Sequence, residues 1–330
     1  MVSQSKDKVC LVSGGAGFIG SHLCESLLKD GYKVICVDNF LTGSKDNVEN
    51  LLENNRFILI NADVIKPLPE VILDEQIEYI FHLASPASPS SDSPISYMKL
   101  PLETMDVNSI GTRRLLRLTK RKKARLVYAS TSEVYGDPNV HPQKEDYWGN
   151  VNPNGVRSCY DESKRFGEAL CFVYLRKMDV DVRIARIFNT YGPKMDKRDG
   201  RAIVNFIVQA LKNEPLTVYG KGNQTRSFCY VDDLVKGIKK MMFTEKLSGE
   251  VINLGNTDEY TILHLAKRVK KALKSKSKIV YSKLPEDDPS KRKPDIGKAK
   301  KLLAWEPKVN FSKGLEKTIG YFKKIINDVE

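Results

Sequence analysis

"LVSGGAGFIGSHL", Leu11 to Leu23, is the stretch on which the reading of this chain turns. It joins an apolar run, "KVCLV", to an apolar helical pattern through a turn that contains Gly14, Gly17 and Gly20. A turn without side chains can close tightly, let its backbone approach a pyrophosphate, and seat the next helix against a sheet. The free N–H groups of that helix start then face the phosphates. Three glycines alone also make ordinary turns. Here a second strand-like run, "YKVICVD", follows and ends in Asp38, where a carboxylate can accept hydrogen bonds from an adenosine ribose. Its charge repels a 2′-phosphate, and no arginine follows at once to reverse the preference, so NAD is expected rather than NADP. Phe18 and Ile19 in the turn, Asn39, Phe40, Thr42 and Gly43 after Asp38, and Asp63 and Val64 at the end of a third strand complete the expected wall around the cofactor.

Outward from this motif, short β-branched runs alternate with helix-period segments. "RFILINADV", "EYIFHLAS", "ARLVYAST" and "VDVRIARIF" continue the strand series. Such alternation predicts an α/β fold with a doubly wound, Rossmann-type parallel sheet. After Phe188 the chain becomes richer in loops, with helices expected near 201–212, 261–273 and 311–326. We read residues 1–188 as a cofactor domain and 189–330 mainly as a smaller C-terminal α/β substrate-binding lobe, with about 228–256 returning to the first domain.

The 330 residues, 41% of them hydrophobic, are enough for a large core and two lobes. No run approaches the roughly 20 apolar residues of a membrane span, and Met1 to Lys8 is polar, so no membrane partner and a cytoplasmic location are expected. The six cysteines, Cys10, Cys24, Cys36, Cys159, Cys171 and Cys229, form no C-x-x-C pair and read as reduced thiols. His22, His82, His141 and His264 have no ligand spacing, and no metal is expected. The net charge of +13 is large. Much of it sits in runs such as "TKRKKAR" and "KRVKKALKSKSK", with no interleaved aromatic residues, and such runs are solvated faces more often than nucleic-acid sites.

Downstream of the cofactor loop, "SCYDESKRFGEAL" places Lys164 one helical turn after Tyr160. A tyrosine hydroxyl has an ordinary pKa of about 10, so a base working near neutrality needs a depression of about 4 kcal/mol. An ammonium about 4 Å away supplies that much at an effective dielectric of 20, and an oxidised nicotinamide ring adds to it. The strand ending "ASTSEVYG" brings Thr131, Ser132 and Glu133 to the same region, and Leu83, Ala84 and Ser85 end the strand beneath the cofactor.

Glycine loop, strand-end hydroxyl and Tyr/Lys helix together resemble the extended short-chain dehydrogenase/reductase family. Longer strings, "HLASPASP", "STSEVYGDP", "HPQKEDYWGNVNP", "CYDESKR", "RIFNTYGP", "LTVYGKGNQTRSF" and "KRKPD", resemble its UDP-glucuronate decarboxylase branch over nearly the whole chain. The resemblance implies NAD-dependent decarboxylation of UDP-glucuronate to UDP-xylose through a 4-keto intermediate, with the cofactor restored in place. It implies Tyr160, Lys164 and Thr131 as the proton-handling group, Ser132 and Glu133 on the far side of the sugar, and Arg292 directed at the substrate. Asn189, Arg201, Tyr219 and Arg226 match nucleotide-sugar positions, and Thr190 matches the nicotinamide side. It further implies a homodimer, built on the Tyr160 helix and a neighbour near 108–118.

One departure stands out: between "SPASP" and "YMK" the chain carries "SSDSPIS", longer than the usual connection. Two other readings stay open on sequence grounds. A nucleotide-sugar 4-epimerase or 4,6-dehydratase would keep the same motifs, although dehydratases usually pair Asp with Glu after the threonine, where Ser132 stands here. A catalytically silent NAD- or RNA-binding protein would keep the fold and the charge without needing Thr131, Tyr160 and Lys164 together.

Overall fold

The computed structural model describes residues 8–327; the polar segment before Lys8 lies outside them. Six strands follow the six apolar runs: β1 (Val9–Ser13), β2 (Lys33–Asp38), β3 (Phe57–Asn61), β4 (Ile77–His82), β5 (Arg125–Thr131) and β6 (Asp181–Ile187). A seventh, Val251–Leu254, pairs in parallel with β6 and completes a sheet in the order 251–254, β6, β5, β4, β1, β2, β3. Every neighbouring pair is parallel. A parallel sheet is covered on both faces, which is why β1 and the inner positions of β2 read as continuous apolar sequence. Alternation still sorts the side chains: Cys10 and Val12 enter one core, Val9 and Leu11 the other.

The strand order reverses between β4 and β1, and a crevice opens beyond the carboxyl ends there. Helix α1 (Phe18–Lys29) starts at that point, directly after the glycine turn. The Tyr160 helix, Ser158–Met178, packs on β5. Its neighbour runs from Pro101 to Lys122 and carries a π-helical turn at Val107–Gly111, so the expected helix near 108–118 is longer and locally widened.

The remaining chain builds small sheets. Leu216–Tyr219 pairs with Ile279–Ser282, while Thr225–Ser227 lies between Glu259–Thr261 and Lys291–Arg292. Helices span Ala202–Leu211, Ile262–Leu273 and Phe311–Asn327, close to the expected positions. No helix among the described residues is long and apolar enough to cross a membrane. The six cysteines are unpaired, and all but Cys159 are buried.

Candidate active site

A cavity of about 700 Å³ runs along the carboxyl ends of the central strands. Its floor at one end is the glycine turn. Gly14 has φ +73°, and a Cβ there would lie 2.7 Å from the Ala84 backbone; a Cβ at Gly20 would overlap the Gly14 carbonyl oxygen. The backbone is thus packed closer than any side chain allows, as a pyrophosphate cradle requires. Asp38 is 7% exposed, and its two carboxylate oxygens accept from Ala16 N (2.9 Å) and Phe40 N (2.8 Å). Burial raises its carboxyl above the ordinary range, with those two N–H donors working against the rise. Gly17, Phe18, Ile19, Asn39, Thr42, Gly43, Asp63 and Val64 line the same end, and Asn39 Nδ2 donates to Asp63 Oδ2 at 3.0 Å. Leu83, Ala84, Ser85 and Thr190 line the middle. These residues fit a dinucleotide: a bare turn, a buried carboxylate at the ribose position, and a strand end beneath. Phe40 does not line the cavity; it turns to φ +58°, lends its N–H to Asp38 and lies under Lys45.

Tyr160, Lys164 and Thr131 meet at the centre, each less than 9% exposed. Thr131 lies beside the Tyr160 hydroxyl and favours its ionised form. Lys164 Nζ donates to the Ala129 carbonyl at 2.8 Å and lies 5.9 Å from the Tyr160 ring centre. Burial pushes Lys164 down to about 7, with Glu168 and Cys171 opposing, and pushes Tyr160 up to about 12, with Thr131 and Arg201 opposing. In the protein without a cofactor, burial thus dominates both groups. The ionised Tyr160 that the sequence reading expects therefore calls for further positive charge beside the pair, such as the oxidised nicotinamide ring.

Glu133 follows in a 3₁₀ turn, Ser132–Tyr135, whose start is capped by Thr131 Oγ1 accepting from Glu133 N. Its Oε2 accepts from Arg157 Nη2 (2.9 Å) and Arg292 Nη2 (3.1 Å). Burial alone would raise this carboxyl, but Arg292, Arg157, Arg226 and Arg201 outweigh it and hold it below its usual range. Glu133 is thus a carboxylate in a field of guanidiniums.

The structure separates the expected substrate residues. Asn189 and Arg201 line the cavity, and Arg201 Nη2 donates to Ala87 O at 3.1 Å. Arg292 does not: it is 1% exposed and turned behind Glu133, donating to the carbonyls of Ser132 and Gly136. Arg226 is also outside the wall, because Asp288 Oδ1 accepts from its Nη2 at 2.9 Å. Tyr219 lies on the strand beyond it and does not reach the cavity either.

Sequence reasoning missed Arg157 and Tyr97. Arg157 lines the cavity and joins Glu133 to Asp288. Tyr97 lines it too, and its ring stacks on Tyr160 with centres 4.6 Å apart and planes 4° from parallel. Arg157 stands three residues before the tyrosine, a signal visible once the pair is found. Tyr97 follows the lengthened loop, whose contacts no motif could supply.

Comparison with known proteins agrees with this geometry. A family profile described as GDP-mannose 4,6 dehydratase matches residues 11–318. The chain is 52% identical to UDP-glucuronic acid decarboxylase 1 of Danio rerio over 98% of its own length and 74% of that protein's. It is 52% identical to UDP-glucuronic acid decarboxylase 4 of Arabidopsis thaliana over 95% of this chain and 68% of that one. Its structure also resembles the crystal structure of UDP-glucuronic acid 4-epimerase from Bacillus cereus in complex with UDP-glucuronic acid and NAD. There the TM-score is 0.86 and the identity 33%, covering 96% of this chain and 99% of that one. The chain belongs to the UDP-glucuronic acid decarboxylase family, a branch of the extended short-chain dehydrogenase/reductases.

Proposed function

We propose that this protein decarboxylates UDP-glucuronate to UDP-xylose with NAD held in the cavity. The observation that carries the reading is Glu133, paired with Arg157 and Arg292 in the same cavity as Tyr160, Thr131 and Lys164. A second acidic group enters such a site without net repulsion, because the guanidiniums outnumber the resident carboxylate.

Gly14, Gly17 and Gly20 would hold the pyrophosphate and Asp38 the adenosine ribose. When bound, NAD⁺ supplies an acceptor, and later a donor, for the hydride at carbon four of the sugar, and a positive ring beside Lys164 and Tyr160. Tyr160 takes the 4-hydroxyl proton, with Thr131 fixing the direction of its oxygen. Once carbon four is a carbonyl, the carboxylate on carbon five is beta to it, and carbon dioxide leaves with the C–C electron pair passing into an enolate. The Tyr160 hydroxyl then donates a hydrogen bond to that oxygen, a proton takes the place of carbon dioxide at carbon five, and Tyr160 gives its proton back to the carbon-four oxygen as the hydride returns. Arg201 and Asn189 face the nucleotide, whereas Arg292 and Arg226 act from behind Glu133 by balancing its charge.

The two working lobes are residues 1–188, for the cofactor, and 189–330, for the nucleotide sugar, with about 228–256 returning to the first; the pairing of Val251–Leu254 with β6 supports that return. A homodimer is supported by a row of exposed apolar residues on the paired helices: Leu102, Met105, Ile110, Phe166 and Val173. A cytoplasmic location is supported by the six free thiols.

The test is UDP-glucuronate with NAD⁺, followed by trapping of carbon dioxide and identification of the sugar. UDP-xylose with stoichiometric gas is expected. An epimerised uronic acid with no gas would replace this reading with that of a 4-epimerase.

A further inference from the structure

Behind Glu133, away from the glycine turn, lies a second cavity of about 180 Å³. Arg157 is the one described residue in the walls of both cavities. Three side-chain atoms of the smaller one, Arg157 Nε, Asp161 Oδ1 and Asp287 Oδ2, are buried without a hydrogen-bond partner among the described residues. Arg157 and Asp161 are each only 6% exposed. Bare donors and acceptors are unfavourable inside a protein, and a polar chamber of this size has room for several water molecules.

We propose that the chamber holds ordered water, and that Asp161 acts through it and through Arg157 as a positioning residue, setting the charge that Glu133 and Arg157 present to an anionic sugar. The inference rests on the uronate reading above and deepens it. Asp161 lies in the first turn of the Tyr160 helix, beside Glu162. Glu133 faces it from the 3₁₀ turn, Arg157 from the segment before the helix, and Arg292 from the C-terminal lobe. Asp137 and Asp287 share the chamber wall, and the phenols of Tyr160 and Tyr97 feel its charge.

Burial first, then Glu133, raise the Asp161 carboxyl to about 8, against the pull of Arg157 and Arg292. Two carboxylates thus share the same guanidiniums, and at neutral pH only Glu133 carries charge. Uncharged Asp161 leaves Arg292 to Glu133, and leaves Arg157, which also pairs with Asp288, to Glu133 and to an incoming carboxylate. Ionised Asp161 adds a competitor for both. Its proton exchanges with the chamber water, and no covalent step is involved.

Two measurements decide this. The first follows side-chain carboxyl carbons by NMR titration in the wild type, Asp161→Asn and Glu133→Gln. A resonance missing from Asp161→Asn should titrate near pH 8 in the wild type, and about one pH unit or more lower in Glu133→Gln. Titration of Asp161 in the ordinary aspartate range, or indifference to Glu133→Gln, would overturn the inference. The second measures binding of UDP-glucuronate, UDP-xylose and UDP from pH 7 to 9. UDP-glucuronate should weaken by up to about tenfold over that span, UDP-xylose and UDP should not, and Asp161→Asn should remove the slope. A slope that survives in Asp161→Asn sinks the proposal. Failure of all three nucleotides to bind sinks the uronate reading instead, and the carboxyl titration still decides the coupling.

Discussion

Lys164→Met should make the nucleotide-free protein more stable near neutral pH while abolishing turnover. The Lys164 ammonium is 3% exposed and keeps one hydrogen bond, to the Ala129 carbonyl. Burial lowers its pKa from 10.5 to about 7, so between those values the unfolded chain binds a proton that the folded chain does not. Stability from this group therefore rises with pH across that window. At pH 7 and below the lysine disfavours folding by the full gap of about 3.5 between the two pKa values, or about 4–5 kcal/mol. Methionine matches the unbranched stem, removes that penalty, and gives up one hydrogen bond of about 1 kcal/mol. The penalty wins. Urea midpoints at pH 6, 8 and 10 should show Lys164→Met ahead by about 3 kcal/mol at pH 6, with the advantage shrinking at pH 8 and gone by pH 10. A variant no more stable than wild type at pH 6, or a difference that ignores pH, would refute the claim that the protein stores desolvation at this lysine.

Other outcomes follow from the same geometry. Tyr160→Phe should cut carbon dioxide release by about 10²–10⁴-fold, the range expected for loss of a general base, while UDP-glucuronate binding measured by calorimetry stays within about threefold. Gly20→Ala would drive a Cβ into the Gly14 carbonyl, so fluorescence titration should show NAD affinity falling by at least about tenfold with the fold intact by circular dichroism. Phe166→Glu puts a charge in the exposed apolar row; if the proposed dimer forms there, light scattering should report a dimer for the wild type and a monomer for the variant.

Most of the sheet was legible from sequence because its strands are largely buried and read as short runs rich in apolar and β-branched residues. Helix positions in the C-terminal half were legible from their period. Val251–Leu254 was harder, since four residues carry little pattern and its place beside β6 is decided by packing. In the site, Tyr160, Lys164, Thr131 and the glycine turn depend on local spacing, which sequence displays directly. Arg292 and Arg226 depend on where a long flexible side chain ends. Motif position suggested the sugar, but Glu133 and Asp288 draw their guanidiniums elsewhere. The sign of the tyrosine and lysine shifts was equally hidden, because desolvation is a property of the closed core and no spacing records it.

The loop before Tyr97 is pinched at its base. Ser88 and Ser96 form a bridge, Tyr97 N donates to Ser88 O at 3.1 Å, and Ser96 Oγ donates to the same carbonyl at 2.9 Å. Residues 89–95 therefore form a bead closed at its neck, with Pro89 and Ile95 in the cavity wall and Ser93 buried, and the aromatic plate that supports Tyr160 hangs below it. The closed neck fixes the plate by bonds that residues 90–94 do not make. Natural variation can thus reshape the rim of the pocket at this point, altering which sugars enter, without retuning the chemistry underneath.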